Sequence, residues 1–384
     1  MLSEAQRQVQ DMARRFAGRE LAPTAAERDR TRRFPREAFE AMGPLGLLGM
    51  TVPAEHGGAG LDYVSYGLAI MEIAAGDGAA ATAVQVHNSL VCQPILHHGS
   101  SEQRERYLRP LAEGKLLGAF CLTEPEAGSD AGAIKTTAAR AGNRFVLNGT
   151  KQFITSGRSA DLAIVFAVTD PSLGKRGISA FIVPTTSPGY VVSRIEETMG
   201  QRSCDHCQVV FQDCEVLPEQ MLGAQGEGLP IALGNLEGGR IGVAAQSVGM
   251  ARAAYDAALA YAKERRTFGR PIIEHQAVAF RLADMATSLQ AAELMVLHAA
   301  RLRDAGLPCL KAASMAKLFA SEAAERICGD AIQTLGGYGY LNDFPVERIY
   351  RDVRVCKIYE GTSDIQRLVI GRQIACEAGY QGVS

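Results

Sequence analysis

The sequence predicts an α+β chain. An N-terminal α-helical domain is expected over residues 1–117, a central antiparallel β-domain over 118–226, and a C-terminal four-helix-bundle domain over 227–384. Three observations predict it. Apolar residues recur with the helical period from Ser3 to about Leu117, with a period of two from there to about Leu217, and with the helical period again from about Gly226. The breaks between segments carry Gly, Pro and Asp. At 384 residues, 47% hydrophobic and 21% charged, the chain has the composition of a globular protein of two or three domains.

The elements follow in order. Ser3-x-x-Gln6 has the form of a capping box, and the amphipathic helix behind it, with Met12, Phe16 and Leu21, stops near Pro23. Pro35 starts a second short helix, which Gly43, Gly46 and Gly49 end. Tyr63 to Ala75 is an apolar helix with Glu72 inside it, and Ser100-x-x-Gln103 caps another that ends around Gly114. Thr136–Arg140, Phe145–Leu147, Lys151–Ile154, Leu162–Val168, Ile178–Val183 and Gln208–Phe211 read as strands. Asn148-Gly149 between two of them is a hairpin signal, because both residues tolerate positive φ. Ile241–Arg265, Glu274–Asp304, Leu310–Leu335 and Asp364–Ala378 are long helices with short connections, the pattern of an antiparallel bundle.

Composition and motif absences exclude several functions. Forty basic and forty-two acidic side chains leave a formal charge of −2, with no basic excess for nucleic acid or an anionic membrane surface. No apolar leader and no uninterrupted apolar run of about 18 residues stands in the chain, which argues against stable membrane insertion. The nine scattered cysteines read as reduced thiols of a cytoplasmic compartment. Cys204-x-x-Cys207 lacks a second ligand pair and leads into a strand, so neither zinc nor redox chemistry is assigned to it. The seven histidines show no ligand spacing, and no metal site is expected. Rossmann, P-loop and nucleophile-elbow motifs are missing.

Four segments remain: Cys121 to Asp130, Lys151 to Gly157, Gln333 to Tyr340, and Tyr359-Glu360-Gly361-Thr362-Ser363. Each has a plain structural reading by itself. A glutamate before a Gly-Thr turn is ordinarily a solvated loop charge. Thr123 and Thr155 suit strand packing, Arg265 suits a helix C-terminus, and Gly336-Gly337 suits a helix C-cap. In this order and at these separations, over essentially the whole chain, the segments resemble the acyl-CoA dehydrogenase family.

That resemblance implies FAD-dependent removal of the α- and β-hydrogens of an acyl-CoA thioester, as in fatty acid or branched-chain amino acid catabolism. Glu360 is implied as the base for the α-proton, while flavin N5 accepts the β-hydride. The Glu360 backbone N–H, with a ribityl hydroxyl, is implied to bind the thioester carbonyl. Gly361 leaves the acyl group room to approach, and Tyr359 helps to desolvate the carboxylate. FAD is implied to contact Cys121, Leu122, Thr123, Ser129, Phe153, Ile154, Thr155, Arg265, Phe268, Gln276, Gln333, Gly336, Gly337, Thr362 and Asp364. Ser129 serves also on the substrate side, with Glu237, Gly238, Gly239, Arg240 and Arg372. A branch of the family carries its base where this chain has Gly239, and glycine has no proton acceptor to offer. The resemblance further implies a homotetramer built as a dimer of dimers, with Arg265 reaching the FAD pyrophosphate of a neighbouring subunit. Electron-transfer flavoprotein is the implied partner, and the stretches Met315–Phe319 and Arg351–Ser363, closest to short-chain and branched short-chain members, imply acyl groups of about four to six carbons, straight or methyl-branched; neighbouring lengths should overlap, because one methylene is worth only about 1–3 kcal/mol. Two rivals stand beside this reading: a flavin-dependent monooxygenase or oxidase on the same fold, and a non-catalytic CoA- or flavin-binding scaffold.

Overall fold

The computed structural model describes residues 2–380. Helix α1 (Glu4–Phe16) begins at the expected capping box: the Ser3 hydroxyl accepts from Gln6 N–H and the Gln6 side chain accepts from Ser3 N–H. The chain then stays helical through irregular turns to Thr24, past the expected stop near Pro23, and enters α2 (Ala25–Thr31) before α3 (Arg36–Met42). Helix α4 (Tyr63–Gly76) is buried on nearly every side, which explains its lack of a polar face. Asp77 caps α5 (Gly78–Val86), and one π-helical stretch, His87–Cys92, links α5 to α6 (Gln93–His98). Two short helices, α7 (Ser101–Gln103) and α8 (Arg109–Ala112), close the first helical layer.

The sheet that follows contains β1 (Gly118–Cys121), β2 (Thr137–Ala141), β3 (Arg144–Thr155), β4 (Leu162–Val168), β5 (Ile178–Pro184), β6 (Tyr190–Ile195), β7 (His206–Val216) and β8 (Met221–Leu222). Its order is β6-β7-β3-β2-β4-β5-β8, with β1 on β4. Pairing is mostly antiparallel; β1 lies parallel to β4, and Thr137 meets Val168 in a parallel bridge. The hairpin expected at Asn148-Gly149 does not form. Both residues lie inside β3, at a register shift opposite β7, and the turn falls between Ala141 and Arg144. Gly149 is there for close approach, since a Cβ would stand 2.5 Å from Thr136 Oγ1. Asn148 is held by its side chain, which exchanges hydrogen bonds of 3.0 and 2.9 Å with Asp213.

The bundle contains α9 (Gly228–Gly234), α10 (Leu236–Glu264), α11 (Gln276–Asp304), α12 (Leu310–Leu335), α13 (Pro345–Val353) and α14 (Ser363–Glu377). A small ribbon, β9 (Arg266–Thr267) with β10 (Arg270–Pro271), projects between α10 and α11. The cores explain how these parts join. Helices α4 and α5 share one core with α10, α11 and α12, so the two helical layers are a single packed unit. One side of the sheet packs on α6 and α8 through Ile164, Phe166 and Ile182. On its other side Val165, Phe181, Phe145 and Phe211 pack together, so the sheet curls over its own apolar face. Among the described residues, no helix is long and apolar enough to cross a membrane.

Candidate active site

The site forms where α5, α10, α12 and the turn before α14 converge. Glu360 stands in that turn with φ of 52°, a left-handed conformation that few non-glycine residues adopt, and Gly361 follows at φ of 94°. Three groups pin the turn. Lys317 Nζ, buried on α12, donates to Gly361 O at 2.7 Å. Gln366 Nε2, buried on α14, donates to Glu360 O at 3.1 Å and to Gly361 O at 2.9 Å. The Thr362 hydroxyl caps α14 by accepting from Ile365 N–H. Backbone that would be costly alone is therefore over-determined by its surroundings.

The Glu360 side chain turns inward onto α10. A Cβ on Gly239 would overlap Glu360 Oε2, so the carboxylate occupies the space that this glycine leaves. Gln85 Nε2 donates to Glu360 Oε1 at 2.5 Å, while Oε2 is enclosed and has no hydrogen-bond partner among the described residues. Burial pushes the Glu360 carboxyl up to about 7, against the opposing pull of Gln85, Lys317 and Arg240. Lys317 is itself pushed down to about 8 by burial. Arg240 is buried beside the carboxylate, and its only side-chain hydrogen bond among the described residues is a long one of 3.4 Å to Ser314 Oγ. The Tyr66 hydroxyl, enclosed and without a partner, lies near Gln85: a Cβ on Gly242 would touch both at 2.5 Å.

Tyr359 is more than an apolar wall. Its hydroxyl donates to Gln246 Oε1 at 2.6 Å, and Gln246 Nε2 in turn reaches Thr82 and Gly78 O. Thr82 bonds Gln201 at 2.7 Å, and Gln201 holds Asp352 from the sheet side. Helical layers and sheet thus meet in one buried chain of side-chain hydrogen bonds next to the Glu360 turn.

The other sequence-predicted residues fall in three places. Gly238, Gly239 and Arg240 are buried in the first turns of α10, with Gly238 facing Tyr63 and Arg303. Glu237 is engaged by Arg303 at 3.4 Å and by the Cys309 thiol at 3.2 Å, so its carboxylate is already occupied. On the sheet, Cys121 and Leu122 are buried at the end of β1, and Gln152 N–H donates to Thr123 O at 2.8 Å, joining β3 to this segment. Phe153 stands beside that junction at φ of 59° with 65% of its surface exposed, between the buried Gln152 and Ile154 and two residues before the half-buried Thr155. An exposed ring face next to two hydroxyls suits a planar heterocycle with polar edges. Ser129 lies exposed in the loop after β1.

The third group lies at the far end of the bundle. Arg265, Gly336 and Gly337 line a cleft of about 430 Å³ with Tyr261, Thr334 and Tyr338. Gly336 is the C-cap of α12 at φ of 61°, and its backbone is open to a ligand. Phe268 is 95% exposed at the tip of the β9–β10 ribbon; Gln276, at the start of α11, and Gln333, in the last turn of α12, are also exposed. No described hydrogen bond or cleft connects this group to Thr123 or Phe153. Asp364 and Arg372 are exposed on α14, where Asp364 pairs with Arg367 at 3.5 Å.

Sequence reasoning missed Gln85, Lys317 and Gln366. Gln85 and Lys317 are long polar residues buried among mostly small ones on their helices, and that mismatch was the available signal; Gln366 shares its buried positions on α14 only with Ser363 and carried none. It missed equally the buried pair of Lys151 Nζ and Glu124 Oε1, 2.8 Å apart, which stitches β3 to the segment after β1. Cys204 and Cys207 are buried free thiols, and no cluster of three metal-ligating side chains occurs among the described residues.

Comparison with known proteins matches the chain to three family models: "Acyl-CoA dehydrogenase, N-terminal domain" over residues 3–115, "Acyl-CoA dehydrogenase, middle domain" over 119–214, and "Acyl-CoA dehydrogenase, C-terminal domain" over 226–375. The chain is 48% identical to an acyl-CoA dehydrogenase of Bacillus subtilis, covering 97% of this chain and 98% of the relative. It superposes with TM-score 0.95 and 41% identity on butyryl-CoA dehydrogenase from Megasphaera elsdenii, covering 97% and 99% of the two chains. A chain of a solved structure described as "Electron transferring flavoprotein of Acidaminococcus fermentans: Towards a mechanism of flavin-based electron bifurcation" matches with TM-score 0.96 and 46% identity, covering 97% of this chain and 98% of that one.

Proposed function

Since the chain belongs to the acyl-CoA dehydrogenase family, we propose that it converts an acyl-CoA thioester to the trans-2-enoyl-CoA with Glu360 as the base. The enclosed, half-satisfied carboxylate of Glu360 carries this reading. A carboxyl near 7 is a competent base at neutral pH, able both to accept the α-proton and to release it afterwards. Gly239 gives the carboxylate its seat, and Arg240 and, below about pH 8, Lys317 supply positive charge that favours the ionised form. The turn at Glu360 and Gly361 presents main chain beside the base, where a thioester carbonyl is to be bound.

FAD is the cofactor, and the residues present fit it. Phe153, Thr123 and Thr155 offer a ring face and hydroxyls, and Arg265 beside the uncrowded backbone of Gly336 and Gly337 offers a cation for phosphate. FAD, when bound, supplies the acceptor for the β-hydrogen and its electron pair. The separation of these two groups on the chain, and the exposed Phe268 on its ribbon, support a homotetramer in which the ribbon of one subunit completes the cofactor site of another. Electron-transfer flavoprotein is the proposed acceptor of the electrons. Acyl groups of four to six carbons, straight or methyl-branched, are the proposed substrates, in line with the butyryl-CoA dehydrogenase that the fold matches.

The test is an anaerobic titration of the yellow holoenzyme with acyl-CoAs of increasing chain length, including isobutyryl and 2-methylbutyryl thioesters. Bleaching of the flavin by butyryl-CoA, with kcat/KM falling gradually towards longer chains, is the expected result. A flavin that stays oxidised with every thioester overturns the reaction. An optimum at long or aromatic acyl groups overturns the substrate alone.

A further inference from the structure

Gln85 is fully buried in a helix built, apart from Thr82, from glycine, alanine and valine. Its amide nitrogen is surrounded by three acceptors: Glu360 Oε1 at 2.5 Å, Ser89 Oγ at 2.9 Å and Gly239 O at 3.2 Å. The orientation of the amide follows from them. Turning it over would place Gln85 Oε1 against a carboxylate and a carbonyl, two acceptors with no proton to share. In the orientation observed, Oε1 is enclosed without any donor, a cost accepted so that the N–H groups face Glu360. The helix that carries Gln85 cannot drift. Asn88 is locked by Met50 N–H and by the carbonyls of Leu47 and Val84, and the π-helical stretch His87–Cys92 follows directly.

We propose that Gln85 is a positioning residue for the base: its N–H holds Glu360 ionised and seated against Gly239, and so sets the pH above which the enzyme can take a proton from its substrate. The proposal rests on Glu360 being that base. Gln85 is the only donor to the carboxylate among the described residues. The charged and titratable groups facing Glu360 from the other elements are Lys317 on α12, Arg240 on α10 and Tyr66 on α4. Lys317 is already committed to Gly361 O and Arg240 makes no ion pair with the carboxylate, so neither replaces a lost amide contact. Gln85 also occupies the space between Gly239, Gly242 and Tyr66.

The experiment is kcat/KM with butyryl-CoA from about pH 5 to about pH 9 for the FAD-loaded wild type, Gln85→Met and Gln85→Asn. Methionine keeps the volume without a donor, and asparagine keeps the amide but is one methylene short of the carboxylate. In the wild type the rate rises with pH through about 7. Both variants are expected to move that rising limb upward by about one pH unit, the worth of a hydrogen bond to a charged group, while recovering most of the wild-type rate above it. Limbs that coincide with the wild type, or an equal loss at every pH, overturn the proposal. A thermal melt of each variant separates a misfolded protein from a shifted base, and the two substitutions give independent readings. A wild type that reduces no flavin with any acyl-CoA overturns the base assignment beneath the proposal, and the proposal with it.

Discussion

Two glutamates in this chain, Glu124 buried and Glu360 half-buried with an enclosed carboxylate oxygen, have opposite fates. Glu124, beside the sheet, accepts from Lys151 Nζ at 2.8 Å, from Thr136 N–H at 2.9 Å and from Lys135 N–H at 2.6 Å. Burial alone would raise its carboxyl, yet Lys151 and these N–H groups hold it below the usual range. Glu360, between the helices, has one donor on Oε1 and none on Oε2, and burial pushes it up to about 7. The lesson is that burial does not make a base. Burial with incomplete satisfaction does, and the fold controls the count of donors.

The comparison breaks most sharply at Glu360. Glu360→Gln is expected to keep the fold and FAD and to lose about 10²–10⁴-fold in turnover of butyryl-CoA, measured in steady state with an artificial electron acceptor. Near-normal turnover would move the base to another residue. At the other glutamate the loss appears in stability instead. Glu124→Ala leaves the Lys151 ammonium uncompensated in a buried site, and denaturant unfolding should show about 3–5 kcal/mol of destabilisation. A Glu124 variant as stable as wild type would mean that the pair is not what joins the two sheet segments.

Gly239→Ala sharpens the contrast without touching either carboxylate. The new methyl takes the place of Glu360 Oε2, and a displacement on the order of 1 Å at a reacting group costs about 10²-fold, so kcat should fall by that factor with little change in Tm. Unchanged kcat would show that the carboxylate works from a different seat.

The smallest effect concerns pH and stability, and the two glutamates differ in sign. Glu360 is raised in the folded state, so folding binds a proton more tightly there than the unfolded chain does. Its contribution falls as pH rises from the unfolded carboxyl value to about 7. Glu124 is lowered, so its contribution is present above the unfolded value and lost as pH falls through the folded one. Glu360→Gln should therefore be more stable than wild type above pH 7 by on the order of 1–3 kcal/mol, and the gain should vanish towards about pH 4. A variant less stable than wild type at neutral pH would contradict the raised carboxyl.

Much of this was legible in the sequence, because periodicity reports which face is buried. The long helices α10, α11, α12 and α14 and the strands β4 and β5 lie within a few residues of where the apolar pattern put them. Asn148-Gly149 misled because a glycine that makes room for Thr136 and a glycine that makes a turn look the same in one dimension. The residues of the site divide in the same way. Glu360, Gly239 and Arg240 sit in short contiguous motifs. Gln85, Lys317 and Gln366 are single polar residues outside any motif, 275, 43 and 6 positions from Glu360, and only the packing of α5, α12 and α14 around one turn brings them together.

The most direct test of the central claim is the rate of flavin reduction by butyryl-CoA in the wild-type enzyme, followed by anaerobic stopped flow as a function of pH. A rate that rises with pH through about 7 and levels above it is the behaviour of an enclosed carboxylate that must be ionised to act. A rate already at its plateau near pH 5, where an ordinary solvated glutamate is ionised, would contradict the account.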